Sequence, residues 1–445
     1  RLLTEIEDLE RRRLALLGKG ADSPEVHETT ARLADALEEH GRVEAELRVS
    51  SPRYAALTQP KPASLEDIRK EVLNGQALLL EYALGEERSY LWAVSPNALR
   101  TYELPGRLRI EEAARRWYGA LVVGPGEEGY SKAAEEARKA ADELGAMLLG
   151  PVEGLLSGQP LLVVSDGALQ YLPFGALPIG GAPLISRHEV VSLPSASALA
   201  VLRRETVGRK PAPKALAVLA DPVFHLDDGR VLRSGRRGGL GDLRGSEIDP
   251  GQLSRLRFSG GEAEAIVALI PEPQQRFKAL GFDATRALVT RGELAQYRIV
   301  HFATHGLIDS RRPELSSLVL SLVNEKGEPQ NGFLRLHDIY NLELQADLVV
   351  LSACQTALGQ EIRGEGLVGL TRGFMYAGAS RVLASLWSVD DRATSVLMKS
   401  FYRHMISGRM SPAAALRRAQ VEMSKDPRWS PPYYWAGFSL QGEWQ

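Results

Sequence analysis

The chain has 445 residues, a formal net charge of −2, 44% hydrophobic residues and 25% charged residues. These values are typical of a globular protein with a substantial core, and the length predicts two or three domains. The near-zero charge gives no reason to expect nucleic acid or an anionic membrane as a partner, and we find neither a signal peptide nor an apolar run of about 18 residues. The one cysteine, Cys354, excludes intrachain disulfides and favours a cytoplasmic protein.

Residues 1–50 are predicted to form a helical hairpin. Leucine and other apolar side chains recur at near-helical spacing on both sides of a break at 18–20. The hairpin is either a partner-binding arm or simply two packed helices, and it is also compatible with the end of a longer helical array. Prolines at three positions then mark a linker over 51–64: Pro52, Pro60 and Pro62.

Residues 65–210 are predicted to form a first α/β half. Strands are expected at 77–84, 89–94, 99–104, 161–164 and 189–193, and helices at 109–120, at 131–149 and after a cap at Ser195 or Ser197. The Ser165-Asp166-Gly167 sequence could suggest hydrolase chemistry, but its position fits a turn at the end of a strand better.

Residues 211–445 are predicted to form a second α/β half. Strands are expected at 215–219, 297–305, 317–322, 348–351, 381–386 and 435–440, and helices at 259–270, 335–342, 364–377, 391–407 and 411–424. The alternation of strands and helices predicts a mostly parallel sheet that is covered on both faces. Residues 225–258 interrupt the pattern with many arginines and glycines, and should form a flexible loop that is either plain surface disorder or a regulatory segment.

Two strands of the second half end in residues suited to nucleophilic catalysis. The apolar strand at 348–351 is followed by small residues and Cys354, and the strand at 297–305 ends in His305 followed by Gly306. Open α/β sheets bind ligands at the carboxyl ends of their strands, so these two side chains can meet although they are 49 residues apart (354 − 305). Caspases have a similar spacing between histidine and cysteine.

The proposed chemistry needs these residue types. A thiol with an ordinary pKa of about 8.5 is only a few per cent thiolate at neutral pH, so a nearby imidazole is needed to take its proton. The same imidazole can later protonate the leaving amine, which is typically worth about 10²–10⁴ in rate. The amides of Gly306 and Cys354 could stabilise the developing oxyanion.

Plainer interpretations of the same residues stay open. Cys354 could be a small buried hydrophobic residue, and His301 is expected to be a core histidine or one that supports the site. His301 and His305 have the spacing of zinc ligands only if they lie on a helix, and no second ligand cluster is seen. We therefore expect no metal ion and no other cofactor.

Several motifs of the chain resemble those of CHAT domains, which are caspase-like peptidases commonly fused to tetratricopeptide repeats. The resemblance covers about residues 65–445. It rests on the segments 165–167, 171–177, 301–306, 351–359, 364–366, 384–391, 401–402, 415–420 and 433–438. His305, Gly306 and Cys354 follow the pattern of the family without departure.

The resemblance implies a clan-CD cysteine peptidase that has a His–Cys dyad and no obligatory third acid. It implies a caspase-like three-layer α/β/α sandwich in which, as in separase, an amino-terminal pseudo-peptidase half (65–210) packs on an active half (211–445). Members are often held inactive until a partner or signal acts on the helical arm. Several serve in prokaryotic defence and cleave a dedicated protein such as a gasdermin or a CRISPR-associated factor.

The resemblance also bears on specificity. Residues 386–391 are similar to the separase segment carrying the acid that binds arginine at P1, and Asp391 is the better counterpart by its distance from the cysteine. A carboxylate there could pair with arginine, although Asp390 or Asp391 could instead cap the following helix. Glu365 is a second candidate for this pocket, or a loop carboxylate near the next helix. If P1 is basic, self-cleavage within 225–258 is a further hypothesis.

The sequence therefore predicts a cytoplasmic caspase-like cysteine endopeptidase that cleaves a partner protein, with arginine or lysine as the candidate P1 residue, in a defence or regulated-death pathway. Cys354 is the expected nucleophile and His305 the expected general base and acid. The alternative is a CHAT-like regulatory scaffold that senses a partner through the helical arm without turnover. A third interpretation is acyl transfer on small molecules.

Overall fold

The computed structural model describes residues 61–231, 253–309, 316–352, 354–358 and 365–445, with short stretches and single residues between 5 and 42. The predicted linker at 51–64 and the arginine-rich segment at 225–258 lie largely outside the described residues. The chain divides into two compact units, Arg1–Lys61 and Pro62–Gln445.

In the first unit, the described residues below 43 are helical, and three of them form a small buried apolar cluster: Leu9, Leu33 and Ala36. Leu9 and Leu33 lie on opposite sides of the predicted break at 18–20, so the two helical segments contact each other. That this unit binds a partner stays a prediction.

The second unit alternates helices with strands. Its described helices are α1 (Leu65–Asp67, continued by a π-helical turn over Ile68–Leu73), α2 (Arg107–Leu121), α3 (Tyr130–Leu148), α4 (Ala196–Thr206), α5 (Ser259–Val267), α6 (Arg286–Thr290), α7 (Leu336–Tyr340), α8 (Glu365–Tyr376), α9 (Asp391–Tyr402, continued by a π-helical turn over Arg403–Ser407), α10 (Pro412–Lys425) and α11 (Pro432–Trp435).

The strands include most of those predicted. They are β1 (Leu78–Ala83), β2 (Arg88–Val94), β3 (Leu99–Pro105), β4 (Leu161–Val164), β5 (Pro178–Ile179), β6 (Ala182–Pro183), β7 (Val190–Leu193), β8 (Lys214–Ala220), β9 (Arg276–Leu280), β10 (Tyr297–Ala303), β11 (His305–Asp309), β12 (Ser317–Val319), β13 (Phe333–Arg335), β14 (Leu348–Leu351), β15 (Cys354–Leu358), β16 (Arg381–Ser385) and β17 (Phe438–Gly442).

One sheet of eleven strands runs through the second unit in the order β3-β2-β1-β4-β7-β17-β16-β14-β10-β8-β9. Its pairings are parallel except for β1 with β2, β2 with β3 and β16 with β17. The sheet crosses the boundary predicted at 210/211 without a break, because β7 of the first half pairs with β17 of the second. The predicted mostly parallel α/β architecture is confirmed.

Two inner strands of the large sheet, β4 and β14, are buried along their whole length. Every side chain of β4 and of β14 is buried, which requires cover on both faces of the sheet and gives the layered arrangement that was predicted. Burying a valine or leucine side chain fully contributes roughly 1.5–3 kcal/mol, so short apolar runs are enough to fix these strands in the middle of the sheet.

A second, four-stranded sheet was not predicted. Its order is β13-β12-β11-β15, and it begins where β10 and β14 leave the large sheet. The prediction of one strand over 297–305 is therefore wrong at its end: β10 stops at Ala303, and His305 begins β11. Cys354 likewise begins a new strand, β15.

Three further sequence predictions need correction. The edge strand β9 was missed because its sequence carries Arg276 and Lys278 and is only partly buried. The strand predicted at 435–440 begins at Phe438, since the preceding prolines start the helical turn α11. Glu365 was described as a loop residue, but it begins helix α8, in agreement with the helix predicted at 364–377.

Among the described residues, no helix is long and apolar enough to cross a membrane. Within the same residues, no three histidine, cysteine, aspartate or glutamate side chains come together as a metal ion would require.

Candidate active site

His305 and Cys354 are directly opposite each other in the four-stranded sheet. Strands β10 and β14 are parallel neighbours in the large sheet, with Phe302 opposite Leu351, and both leave it at their carboxyl ends. After β10 and β14 the polypeptide continues as β11 and β15, which again pair in parallel. The first residues paired in this new register are His305 and Cys354. The structure describes the backbone of Cys354, whereas its side chain lies outside what is described.

The His305 ring is held in a defined orientation. It is 6% exposed, its Nε2 lies 2.6 Å from the carbonyl oxygen of Ser254, and its ring centre lies 5.1 Å from that of Phe224. A carbonyl can only accept a hydrogen bond, so Nε2 carries the proton and donates it. Nδ1 is buried and has no hydrogen-bond partner among the described residues, which leaves its lone pair available to a proton donor.

The surroundings favour the neutral form of this imidazole. Burial lowers the pKa of His305, the hydrogen bond to Ser254 opposes that effect, and the nearby His225 lowers the pKa further. A neutral ring with a free Nδ1 can accept a proton, and the Ser254 carbonyl then stabilises the resulting imidazolium. This backbone carbonyl could not be found from the sequence, because 51 residues separate it from His305 and its side chain takes no part.

Gly306, the second residue predicted for an oxyanion hole, lies within β11. It is opposite Leu318 of β12 on one side and Gln355 of β15 on the other. Its amide is therefore next to the pair formed by His305 and Cys354, and its role stays a prediction.

Asp390 and Asp391, both predicted as candidates for substrate binding, have different surroundings. Asp390 is the N-cap of α9, and its Oδ1 accepts a hydrogen bond of 2.8 Å from the amide of Ala393. Asp391 begins the helix, and its Oδ2 accepts a hydrogen bond of 2.8 Å from the amide of Phe258, directly before α5. The expectation that one of the two acids caps the helix is confirmed for Asp390.

The electrostatic state of Asp391 reflects a crowded acidic region. Burial raises its pKa, the Phe258 hydrogen bond opposes the rise, and the neighbouring carboxylates of Glu262, Asp390 and Asp221 raise it further. A cation beside Asp391 would oppose this rise of its pKa.

Asp221 is an acid of this region that the sequence analysis missed. It follows β8 directly, in a left-handed conformation with φ of 49° that aspartate tolerates better than most residues. Its carboxylate receives two hydrogen bonds from Arg255, of 2.8 and 2.6 Å, and Arg230 Nη1 lies 3.0 Å from its Oδ2. The signal was present in the sequence: like His305 and Cys354, Asp221 comes just after a buried strand of the second half.

Glu365, the remaining candidate for substrate binding, begins α8, and its side chain lies outside the described part of the chain. The structure therefore neither joins it to Asp391 nor separates it from that residue.

His301 has a structural role, as predicted. Its Nε2 lies 2.9 Å from Glu262 Oε1 and its Nδ1 lies 3.0 Å from the hydroxyl of Tyr402, and all three side chains are buried. Both ring nitrogens are thus occupied within the core.

The Ser165-Asp166-Gly167 sequence forms a turn at the end of β4, as predicted. Asp166 Oδ2 accepts a hydrogen bond of 2.8 Å from the amide of Leu84 and lies 3.3 Å from Arg107 Nη2. These contacts tie β4 to the end of β1 and to the start of α2, and give the carboxylate a structural role.

Comparison with curated proteins finds relatives that contain tetratricopeptide repeats. The chain is 26% identical over 341 residues to tetratricopeptide repeat protein 28 of Homo sapiens, covering 66% of this chain and 13% of that protein. It is 39% identical over 105 residues to the Mus musculus protein of the same name, covering 24% of this chain and 4% of that protein. The chain thus spans only a small part of the length of these relatives.

Comparison with solved structures finds the same fold in a peptidase of clan CD. A chain of the Saccharomyces cerevisiae separase–securin complex superposes with a TM-score of 0.55 at 11% identity, covering 88% of this chain and 31% of that chain. At this identity the likeness concerns the fold alone, which is the caspase-like α/β fold of separase. The family model of the CHAT domain matches residues 138–443, a span that includes β4 and all the strands that follow it, as well as His305 and Cys354. This match extends over more than half of the sequence, and the chain belongs to the CHAT domain family.

Proposed function

We propose that this protein is a cysteine endopeptidase in which His305 and Cys354 form the catalytic dyad. The observation that carries the proposal is the parallel register that sets the two residues directly opposite each other where β10 and β14 end. Neighbouring strands are about 4.8 Å apart, and residues paired across a ladder project from the same face of a sheet. This backbone register is what supports proton transfer between Cys354 and His305.

The first half of the reaction follows from the orientation of His305. Nδ1 takes the proton of the Cys354 thiol, and the thiolate attacks the carbonyl carbon of the scissile peptide bond. The Ser254 carbonyl stabilises the imidazolium that forms, through the hydrogen bond from Nε2. The amides of Gly306 and Cys354 are the proposed donors to the oxyanion of the tetrahedral intermediate, each typically worth about 10²–10³ in rate.

The second half of the reaction releases both products. The imidazolium gives its proton to the leaving amine, the carbon–nitrogen bond breaks, and the acyl group stays on the sulfur as a thioester. Neutral His305 then removes a proton from water, which attacks the thioester and regenerates the thiol. No third acid is needed, because the Ser254 carbonyl already orients the ring.

For the substrate we propose a protein chain with arginine or lysine at P1. Asp391 and Asp221 are the proposed partners of this cation, and its charge would oppose the effects of burial and of the neighbouring carboxylates that raise the pKa of Asp391. Asp221 supports the assignment, since it already holds a guanidinium group in two hydrogen bonds. Glu365 stays a further candidate for this pocket.

For the biological setting we propose cleavage of a dedicated partner protein inside the cell, in a defence or regulated-death pathway as other CHAT peptidases do. The first unit, Arg1–Lys61, is the proposed contact for an activating partner. Two relationships support a protein partner: the curated relatives are named for tetratricopeptide repeats, and the structural neighbour was solved as a complex with securin.

The test compares wild type with Cys354→Ala and His305→Ala on fluorogenic peptides that differ only at P1. Cleavage by wild type alone, strongest after arginine or lysine, is the expected result. Cleavage only after apolar residues would keep the peptidase and reject the acidic pocket. If Cys354→Ala keeps the biological activity of the protein, the chain acts as a scaffold. If wild type cleaves no peptide but hydrolyses esters, and Cys354→Ala does not, the substrates are small molecules.

A further inference from the structure

The six residues directly before α5, Leu253–Phe258, cross the candidate site. Its polar contacts there are with groups already described, and they are made by a backbone atom or by the Arg255 guanidinium. The contacts are Leu253 O with His225 Nε2 (2.5 Å), Ser254 O with His305 Nε2 (2.6 Å), Arg255 with Asp221 (2.8 and 2.6 Å) and Phe258 N with Asp391 Oδ2 (2.8 Å). One short segment thus reaches both the proposed base and the proposed specificity acids.

The contact between Arg255 and Asp221 differs from the other contacts of this segment because a substrate side chain could replace Arg255. The side chain of Asp221 is 12% exposed and belongs to the wall of the site, whereas that of Arg255 is 45% exposed and reaches in from the surface. Both of its hydrogen bonds to the carboxylate are those of a planar guanidinium fork. A substrate arginine would offer the same fork to the same carboxylate.

Arg230, the other cation at Asp221, is held elsewhere. Its Nε and Nη2 bind the two oxygens of Asp228 at 2.9 and 2.7 Å, and its Nη1 also donates to the backbone carbonyl of Asp221. These bonds tie Arg230 to its own loop and leave only one nitrogen, Nη1, for the Asp221 carboxylate. Arg255 is therefore the guanidinium that can be exchanged.

We propose that the Asp221 carboxylate is a binding site for a guanidinium group and that the chain fills it with its own Arg255. Arg255 holds the place of the arginine side chain of an incoming substrate, and a substrate must displace it to bind. The inference rests on the function proposed above and deepens it, since it names both the ligand chemistry of the pocket and an internal competitor. Displacement costs little, because a half-exposed ion pair is weak.

Binding is measured apart from catalysis, in a chain that carries Cys354→Ala. The probe is a fluorescently labelled peptide with one arginine and no other charge, and its counterpart has citrulline, which is neutral and of nearly the same shape. Fluorescence anisotropy gives the dissociation constants for three further changes in this background: Arg255→Ala, Asp221→Asn and, as a matched control, Arg257→Ala. Arg257 is an exposed arginine two residues along the same segment.

Arg255→Ala is expected to tighten binding of the arginine peptide roughly three- to tenfold, as expected for loss of a weak competing ion pair. Arg257→Ala and the citrulline peptide should show no such gain, and Asp221→Asn should weaken binding of the arginine peptide. Arg255→Lys should lie between, because lysine keeps the charge but not the fork. Melting temperatures of all variants show whether each one folds.

Equal or weaker binding by Arg255→Ala would overturn the inference and make the segment a permanent wall of the pocket. The proposed peptidase function is tested separately, by measuring peptide cleavage with proteins that keep Cys354. If Arg255→Ala gains binding while no chain cleaves any peptide, the internal ligand stands and the peptidase does not.

Discussion

Nε2 of His301 lies 2.9 Å from Oε1 of Glu262, in a part of the core where neither side chain is more than 1% exposed. Burial raises the pKa of Tyr402 well above its usual range, so its hydroxyl keeps its proton, and this oxygen lies 3.0 Å from Nδ1 of His301. This three-membered chain joins α5, β10 and α9. Phe258 directly precedes α5, and Asp391 begins α9. By holding these two helices together, the buried polar chain fixes the geometry of the proposed substrate pocket.

Glu262→Ala is predicted to destabilise the protein by about 3 kcal/mol. The change leaves Nε2 of His301 without its partner in a dry core, and breaking one side of a buried polar pair typically costs about 3–5 kcal/mol, less where water can enter the space. Urea unfolding followed by circular dichroism measures the loss. Glu262→Gln is the control, because an amide oxygen can still accept the hydrogen bond, and it should cost less than half as much. Equal losses for both changes would mean that the volume of the side chain, and not the hydrogen bond, matters here.

The strands that precede His305, Cys354 and Asp391 follow from the sequence, since apolar runs followed by small or polar residues mark parallel strands and their carboxyl edge. The exact pairing of His305 with Cys354 does not follow, because it depends on β11 and β15, which leave the large sheet together. Their sequences contain no alternation of apolar and polar residues that would fix a register.

The contacts made by Ser254 and Asp221 could not be predicted from the sequence, and the reasons differ. Ser254 acts through its carbonyl, which every residue has, so no side-chain pattern marks it. Asp221 stands in an Asp-Pro pair after a strand, which is typical of a turn. Only the tertiary structure brings it to Arg255 and near Asp391.

His305 is predicted to set the acid limb of the pH profile of kcat/KM below pH 6.5, its ordinary pKa. The reaction needs the neutral ring, and the pKa of His305 is lowered, so the ring stays neutral to a lower pH than a free imidazole. His225→Asn removes a group that lowers this pKa and should move the acid limb toward higher pH. An acid limb that His225→Asn leaves in place would assign the titration to another group.

The same pKa shift predicts how stability changes with pH. The unfolded chain takes up a proton at His305 at a higher pH than the folded chain does, so the contribution of His305 is fully present above the unfolded pKa and is lost as the pH falls from there through the lower folded pKa. Thermal unfolding between about pH 7 and 5 should therefore show a steeper loss of stability in wild type than in His305→Gln. Parallel pH dependences of the two proteins would show that the pKa of His305 is the same in the folded and the unfolded chain.

Asp391→Asn is predicted to lower kcat/KM for peptides with arginine at P1 by roughly 10–100-fold, because a hydrogen bond to a charged partner is typically worth about 1.5–3 kcal/mol. Peptides with a neutral P1 residue should lose much less. Asp390→Asn is the matched control, since asparagine caps a helix as well as aspartate does and should keep both the helix and the preference. If Asp390→Asn loses the preference and Asp391→Asn keeps it, the two acids have the opposite roles.

Arg203→Ala is predicted to loosen the junction of the two α/β halves and to destabilise the protein by about 3 kcal/mol. Arg203 of α4 binds both carboxylate oxygens of Glu443, at 2.5 and 2.6 Å, and also donates to the backbone carbonyls of Glu71 and Val72 beyond α1. Glu443 follows β17, the strand of the second half that pairs with β7 of the first. Both side chains are 17% exposed, so the change leaves a mostly buried carboxylate without its partner.

A double-mutant cycle separates this pair from the other contacts of Arg203. Glu443→Gln alone should cost less than Arg203→Ala, because the backbone carbonyls of Glu71 and Val72 keep part of the guanidinium satisfied. The double variant should cost less than the sum of the two single changes, by about 1–3 kcal/mol, since neither change can remove the pair twice. Additive losses in urea unfolding would show that the two side chains act independently.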